Sequence, residues 1–384
     1  MKTLFKNKWF IRLTKAVLLF FVVLTTPNYY TVIYDFETPT PFNGNAFYNP
    51  YKTIGDTWLK CNFHAHSKLF GGLTNGENSI LEMHEKYQAL GYDIPCISNY
   101  NSVTPQFANK KYPLLAYEHG LNRGWIHQLV LNDKKAKPFD YPVFQLTSHK
   151  QFMLNRLKND TNLIVLAHPS FQKGYAAEEM SYLTNYDLIE GVSVRASSIN
   201  LWDKLLSAGR AKWIVANDDS HDTLTAHTGV TWTSVNVLDN SKNGVLESLK
   251  AGRHIAQRGW MAQFTANIES LTVTDQVYRL KITHPIDSII LISDGGKQVA
   301  YTTNTDSISY SITDENTYVR AELFNSTKWN NYSKLYLNPV IRTTNAEFFE
   351  RKLRHETNWL LTLLFWFTLA AFHSLVGVVI LKWK

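Results

Sequence analysis

The sequence predicts an α/β domain followed by a smaller β-rich domain, with a membrane-spanning helix near each terminus. Between residues 58 and 258, short apolar runs alternate with stretches of helical periodicity, as in barrels of parallel strands. Between residues 259 and 345, short alternating runs and a turn at Asp294-Gly295-Gly296 indicate an antiparallel sandwich-like domain. Apolar segments at 16–34 and 359–381 complete the outline.

The first apolar run ends in two histidines. A strand is predicted over residues 58–62, and His64 and His66 follow it. Because successive strand side chains point to opposite faces, these two imidazoles point the same way. Together they can bind one metal ion, although a His-x-His pair gains weight only from ligands at later strand ends.

Such ligands occur at the edges of the later apolar runs. They are Glu118, His127, His168, Asp219 and His221. In a barrel of parallel strands, the C-terminal strand ends collect on one face, so these residues are expected to meet the two histidines there. Taken singly, His168 before Pro169 can be a strand stop, and Asp219 with His221 can be a helix cap.

The motifs carry a family resemblance. They are His64-Ala65-His66, Tyr117-Glu118-His119-Gly120, Ile126-His127, Ala167-His168-Pro169 and Asp218-Asp219-Ser220-His221. In this order, over about residues 58–258, the chain resembles the PHP (polymerase and histidinol phosphatase) family of metal-dependent phosphoesterases. The resemblance implies a distorted seven-stranded (β/α) barrel with two or three metal ions.

Two positions depart from the family pattern. Where the family has Thr-Asp-His-Asn, this chain has Ser98-Asn99-Tyr100-Asn101, and Asn75 stands near a position that is often Asp or His in the family. Amide and phenol groups are poorer ligands for zinc-like metals than carboxylate and imidazole. We therefore expect two ions per chain, with one site of three weakened or lost.

The predicted chemistry is hydrolysis of a phosphate ester by a hydroxide that two divalent transition metal ions (Zn, Mn or Fe) share. Glu118 is expected to bridge the ions, with His64, His66 and Asp219 completing one site and His127 and His168 the other. Glu118, Asp219 and His221 are the predicted catalytic residues, with His221 as a general acid or phosphate contact. Arg195 and Lys173 lie near strand ends, where they are candidates for binding the substrate phosphate.

Three classes of function stay open at this point. The first is a phosphatase or phosphodiesterase acting on a phosphorylated small molecule or lipid. The second is a metallohydrolase of amides or esters, since the same nucleophile attacks carbonyl groups. The third is an inactive membrane-tethered binding protein of the same fold. The net charge of +7 over 384 residues, without a basic groove lined by aromatics, does not indicate nucleic-acid binding.

The two ends of the chain predict membrane anchoring. Residues 1–15 are basic, 16–34 form an apolar signal-anchor, and 35–57 form a connector. Residues 346–358 are a juxtamembrane segment, 359–381 are long enough to span a bilayer, and 382–384 form a basic tail. Basic residues at both ends favour cytoplasmic termini and an extracytoplasmic catalytic domain, although Arg351, Lys352 and Arg354 oppose this. Cleavage as a signal peptide stays an alternative. Cys61 and Cys96 are expected to be buried free thiols, with a disulfide between neighbouring strands as the alternative in an oxidising compartment.

Overall fold

The computed structural model describes residues 8–104, 109–259, 267–327, 331–347 and 351–382. The helices are α1 (Lys8–Thr25), α2 (Ile80–Ala89), α3 (Thr147–Leu157), α4 (Ala177–Tyr182), α5 (Ile199–Ser207), α6 (Lys242–Lys250) and α7 (Trp359–Lys382). The strands are β1 (Tyr34–Phe36), β2 (Ala46–Tyr48), β3 (Thr57–Asn62), β4 (Ile94–Pro95), β5 (Ala116–His119), β6 (Gln128–Leu131), β7 (Leu163–Leu166), β8 (Leu188–Val192), β9 (Trp213–Ala216), β10 (Thr231–Val237), β11 (His254–Gly259), β12 (Ile268–Thr274), β13 (Val277–Ser293), β14 (Lys297–Ser311), β15 (Tyr318–Thr327), β16 (Asn331–Leu337), β17 (Val340–Thr343) and β18 (His355–Thr357). The parts of the predicted segments at 1–7, 260–266, 328–330, 348–350 and 383–384 lie outside the described residues.

A five-stranded sheet in the order β5-β6-β7-β8-β9 forms one wall of the site. β5, β6 and β7 pair antiparallel, whereas β7, β8 and β9 pair parallel. Every residue of these five strands is buried. Their nearly continuous apolar sequences match this environment, because a sheet covered on both faces needs no polar alternation.

The second wall belongs to a larger sheet, whose main path is β12-β13-β15-β16-β11-β10-β3-β4. Its β3 pairs with β4 in parallel and with β10 antiparallel. Because β11 pairs with β16, the sheet runs without interruption from the site-bearing half of the chain into the β-rich half. The free cysteines Cys61 and Cys96 are buried, as predicted.

Among the described residues, the two walls share isolated β-bridges, Ala65 with Ser220 and Tyr100 with Glu118. The mixed α/β class is confirmed, but the described strands do not close into the predicted seven-stranded barrel. The second predicted strand, over residues 92–98, forms only the two-residue β4. Pro95 has no N–H to donate, so this strand cannot pair continuously with both neighbours.

The β-rich part contains longer strands than the sequence indicated. The strands predicted at 278–282 and 288–292 belong to a single strand, β13, which has a register shift between Lys281 and Ile286. β13 pairs with β14, and the predicted turn at Asp294-Gly295-Gly296 joins them.

Among the described residues, two helices are long and apolar enough to cross a membrane. They cover Lys8–Tyr30, with mean hydropathy 1.7, and Trp359–Lys382, with mean hydropathy 2.1. They pack together through Thr25 Oγ1, which lies 2.8 Å from His373 Nε2, and through Trp366 Nε1, which donates to the Thr31 carbonyl. Antiparallel pairing of β1 with β18 extends this contact. We call Lys8–Tyr30 and α7 the terminal helix pair.

Candidate metal centre

Glu118 lies at the centre of a buried cluster. Its Oε1 lies 2.7 Å from His127 Nδ1 and 3.3 Å from His168 Nε2. Its Oε2 lies 3.1 Å from His66 Nε2 and 3.4 Å from His64 Nε2. Each carboxylate oxygen therefore faces a different pair of imidazoles, as in a carboxylate that bridges two metal ions.

Asp219 is the second carboxylate near His64 and His66. Its Oδ1 lies 3.3 Å from His64 Nε2, 3.4 Å from His66 Nε2 and 3.2 Å from His221 Nε2. Its Oδ2 accepts from Arg195 Nε at 2.7 Å. The predicted ligands thus come together in overlapping groups whose donor atoms lie within 4.8 Å of one another.

Glu190, which the sequence motifs did not indicate, supports the cluster from behind. Its Oε1 accepts from His64 Nδ1 at 3.0 Å and from Asn217 Nδ2, while its Oε2 accepts from the His168 backbone N–H. Because the Nδ1 proton of His64 points to Glu190, the Nε2 lone pair points into the cluster. In the sequence, the feature that could have identified Glu190 is a carboxylate in the middle of the apolar strand β8.

The carboxylates and imidazoles shift one another's pKa values. Burial raises the pKa of Glu118, but the charges of His127 and His64 outweigh it and hold that pKa well below its usual value. Burial likewise raises the pKa of Asp219, and the charge of His64 with the His221 hydrogen bond reverses the effect. Burial lowers the pKa of His64, but the charges of Asp219 and Glu190 raise it well above normal. The cluster therefore keeps its carboxylates ionised and favours bound positive charge.

The donor set fits divalent transition metal ions. Within the described part of the chain, Glu118 Oε2 accepts no hydrogen bond of good geometry, although His66 Nε2 lies 3.1 Å away. The Nδ1 atoms of His66, His168 and His221 are also buried without a hydrogen-bond partner. Leaving a carboxylate oxygen unpaired inside a protein is costly unless it binds a cation. Imidazole nitrogen and carboxylate oxygen suit zinc, manganese and iron.

Asn99 and Tyr100, which differ from the family pattern, make other contacts. Asn99 accepts from the Ser67 N–H at 2.8 Å and donates to Ser67 Oγ at 2.7 Å. The Tyr100 ring stacks on His66, with the ring centroids 4.4 Å apart, and His66 stacks in turn on His221. Tyr100 thus packs against the cluster through its ring face.

The two predicted phosphate-binding residues differ. The side chain of Arg195 is 37% exposed at the edge of the cluster, beside Asp219. Lys173 is exposed in the turn Phe171–Lys173 after His168, and no described contact joins it to the cluster.

Backbone strain concentrates at this end of the sheets. The residues His168, Asp219 and Trp125 adopt positive φ angles of 29°, 49° and 55°. Such angles are unfavourable for side chains other than glycine, and they persist where surrounding contacts enforce them, often at functional sites. Gly120 shows the close packing required, because a Cβ there would lie 2.7 Å from His127 Cδ2.

The comparisons with known proteins returned few matches. No family model and no curated protein matches the chain. One similar solved structure is a two-domain protein from Bacteroides vulgatus that contains a predicted PHP-like metal-dependent phosphoesterase. It is 12% identical with a TM-score of 0.41, and the match covers 84% of this chain and 99% of that one.

A second similar structure is the lesion-specific endonuclease PfuEndoQ from Pyrococcus furiosus, with 14% identity, a TM-score of 0.37, and coverage of 50% of this chain and 56% of that one. Both TM-scores are low, so the case for function comes from the geometry of the cluster itself.

Proposed function

We propose that the protein is a metal-dependent hydrolase of phosphate esters that uses two divalent transition metal ions. The observation that carries this proposal is Glu118, whose two buried oxygens each face a separate pair of imidazoles. His64, His66 and Asp219 would hold one ion with Glu118, and His127 and His168 the other. When bound, such ions activate water at neutral pH and neutralise charge on the phosphoryl oxygens.

The chain's own residues would perform the remaining tasks. The exposed side chain of Arg195 lies beside Asp219, where its guanidinium can pair with a phosphate oxygen. This cation favours a phosphate ester over an amide or a neutral ester. His221 Nε2 lies 3.2 Å from Asp219 Oδ1, and burial lowers the pKa of His221, which favours the neutral imidazole. In that form His221 would contact the phosphate through a hydrogen bond, and it would have to take up a proton before it could act as the general acid.

Replacing Glu118 tests the proposal. Glu118→Gln keeps the size of the side chain and removes the charge, so we expect metal content to fall below about one ion per chain and activity on an aryl phosphate to fall by about a thousandfold. His168→Ala should act in the same direction through the second ion. Metal analysis, circular dichroism and phosphatase assay of both variants measure the effects.

His84→Ala is the matched control, because His84 lies on α2 outside the cluster. It should keep native metal content and activity. Near-native metal content and activity in Glu118→Gln would show that the centre lies elsewhere. Hydrolysis of aryl esters without hydrolysis of aryl phosphates would favour the ester or amide class, and a folded chain that binds no transition metal would favour an inactive binding protein.

We also propose that the terminal helix pair anchors the protein in a membrane with the metal centre on the extracytoplasmic side. The support is the length and apolar character of both helices, together with the basic residues Lys8, Arg12 and Lys15 of α1 and Lys382 at the end of α7.

A further inference from the structure

The end of the molecule that carries the metal centre points toward the terminal helix pair, and α3 shows this direction. At the N-terminus of α3, His149 Nε2 lies 2.7 Å from Asn28 Oδ1, and the His149 ring contacts Phe365 of α7. At its C-terminus, Asn155 Nδ2 lies 3.1 Å from His355 Nε2, which precedes α7. α3 therefore runs alongside the start of α7, with its N-terminus nearer the membrane.

The strand that follows α3 runs back in the same direction as α7. β7 ends at Leu166, just before His168, and the loop after His168 returns to the start of α3, where Lys150 Nζ donates to the Gly174 carbonyl at 2.8 Å. At the other end, Lys158 pairs with Asp187 before β8. The C-terminal end of β7, and the metal centre with it, thus lies at the membrane-facing end of α3.

A chain of contacts joins the helix pair to the wall of the centre. Thr31 bonds Tyr141, and the Tyr30 ring lies 5.6 Å from the Phe139 ring. Asp140, between them, accepts from the N–H of Leu121 at 3.0 Å and from Asn122 Nδ2.

The loop after β5 then reaches the ligands themselves. The Trp125 ring lies 5.9 Å from that of His127 and 5.4 Å from that of Phe171, which packs on His168. The wall of the site and the membrane contact are therefore parts of one continuous structure.

The loops around the mouth of the centre expose large apolar side chains. These are Phe70, Leu73, Leu121, Trp125, Phe144, Leu146 and Leu224, with exposures from 42% to 90%. Exposed cationic side chains, Lys68, Arg123, Lys173 and Arg195, lie on these or other loops around the same mouth, with Glu77 and Asp222 as acidic neighbours. Apolar side chains mixed with cations are typical of surfaces that enter the headgroup region of a bilayer.

We propose that this mouth docks on the bilayer that holds the terminal helix pair, and that the substrate is a membrane lipid bearing a phosphate ester. This inference rests on the proposed function and names its substrate class. The lipid tails stay in the bilayer, the apolar rim enters the interface, and the headgroup phosphate reaches Arg195 and the metal centre. Because the contacts described above hold the site close to the helix pair, a substrate confined to the membrane plane would lie within reach of the site.

The docking is tested without any activity measurement. Cys61 and Cys96 are buried, so a cysteine introduced by Phe144→Cys can be labelled selectively with a polarity-sensitive fluorophore in the full chain, reconstituted in phosphatidylcholine vesicles. Doxyl-labelled lipid should quench this position several-fold more than iodide does. Leu238→Cys is the control: Leu238 is exposed and follows Val237, which pairs with Thr57 at the opposite end of β3.

Position 144 responding to iodide and not to doxyl lipid would overturn the docking. Protection of position 144 from both quenchers would indicate a covering protein copy and would overturn it as well.

The substrate class is tested with phosphatidic acid and phosphatidylglycerol in the same vesicles, alongside a soluble aryl phosphate. Leu121→Asp with Phe144→Asp should lower lipid hydrolysis by about tenfold and leave aryl phosphate hydrolysis unchanged, whereas Leu238→Asp should change neither. Hydrolysis of the aryl phosphate alone by the native protein would overturn the lipid substrate and leave the proposed function standing. Hydrolysis of neither would count against the proposed function, while the quenching still decides the docking.

Discussion

At the scale of single residues, the candidate metal centre depends on groups that lie behind its predicted ligands. Glu190 is fully buried and uses both oxygens, one for His64 and Asn217 and the other for the backbone of His168. It thereby fixes the ring orientation of one ligand and the position of another. A carboxylate behind a metal-binding imidazole also makes that imidazole a better donor.

Glu190→Gln is therefore expected to weaken metal binding by about 10- to 100-fold. The amide keeps one acceptor for His64 but brings an N–H toward the His168 N–H, which can no longer donate to it. Metal titration calorimetry measures the change. Glu247→Gln on the exposed face of α6 is the control and should bind metal normally. Equal affinity in both variants would show that Glu190 does not position the ligands.

The ligands could be predicted from sequence because each lies at one end of a short apolar run, His127 before β6 and the others after their runs, and strand ends meet at one edge of a sheet. Glu190 could not be predicted in the same way, since it lies within a strand where polar residues are usually explained by packing. The roles of Asn99 and Tyr100 also depend on tertiary contacts, with Ser67 and with the His66 ring. Sequence alone identifies them as departures and does not show which way their side chains point.

At the scale of elements, β11 ties the two sheets together. His254, at the start of β11 in the larger sheet, is fully buried, and its Nε2 donates to the Ile214 carbonyl of β9 in the five-stranded sheet at 3.0 Å. Burial lowers the pKa of His254 from 6.5 to about 4. The folded protein thus holds this imidazole neutral, because a charged ring would lie unsolvated between two sheets.

This pKa predicts a loss of stability in mild acid. Between pH 6.5 and about 4, the unfolded chain binds a proton at His254 that the folded chain does not, so the free energy of unfolding falls as the pH falls through this range. The contribution is complete above pH 6.5 and amounts to about 3 kcal/mol at most. Urea unfolding of the full chain in detergent micelles at pH 7.5 and pH 4.5 measures it.

His254→Gln can keep the hydrogen bond to Ile214 and does not titrate. We expect it to unfold with a smaller difference between the two pH values than the native protein shows. An unchanged difference would assign the acid sensitivity to other groups.

Strands with a clear hydrophobic pattern could be predicted from the sequence, and strands without one could not. The buried strands of the five-stranded sheet were evident from their apolar runs. β14 was missed because Lys297–Ser311 is rich in Thr and Ser and mostly exposed, so its pairing with β13 comes from the neighbouring strand and not from its own alternation. β13 was split in two because His284-Pro285 interrupts its pattern. Proline is normally a strand boundary, and here it lies within the register shift of a long strand.

At the scale of the whole molecule, the terminal helix pair is antiparallel. Thr25 contacts His373, Thr31 contacts Trp366, and the Ile33 N–H donates to Thr362 Oγ1. Successive residues from the end of α1 onward therefore contact residues progressively closer to the N-terminus of α7. Lys8 and Lys382 therefore lie at the same end of the pair.

We expect both termini on the cytoplasmic side and the metal centre on the other. Protease added to intact cells should cleave the central domain while epitope tags at both ends of the chain stay protected. Lysed cells, in which the tags become accessible, are the control. Cleavage of the tags in intact cells, or protection of the central domain until lysis, would contradict the expected orientation.

The pairing of β1 with β18 has a consequence for synthesis. A ribosome makes Tyr34–Phe36 early and His355–Thr357 only after nearly all of the domain between them. Until then, the backbone of β1 lacks its partner strand, and Asp35 lacks Asn358, which donates to its carboxylate. A nascent or truncated chain therefore displays an unpaired strand just after the N-terminal helix, which chaperones and proteases can recognise. The chain loses this signal only when its closing strand has been translated.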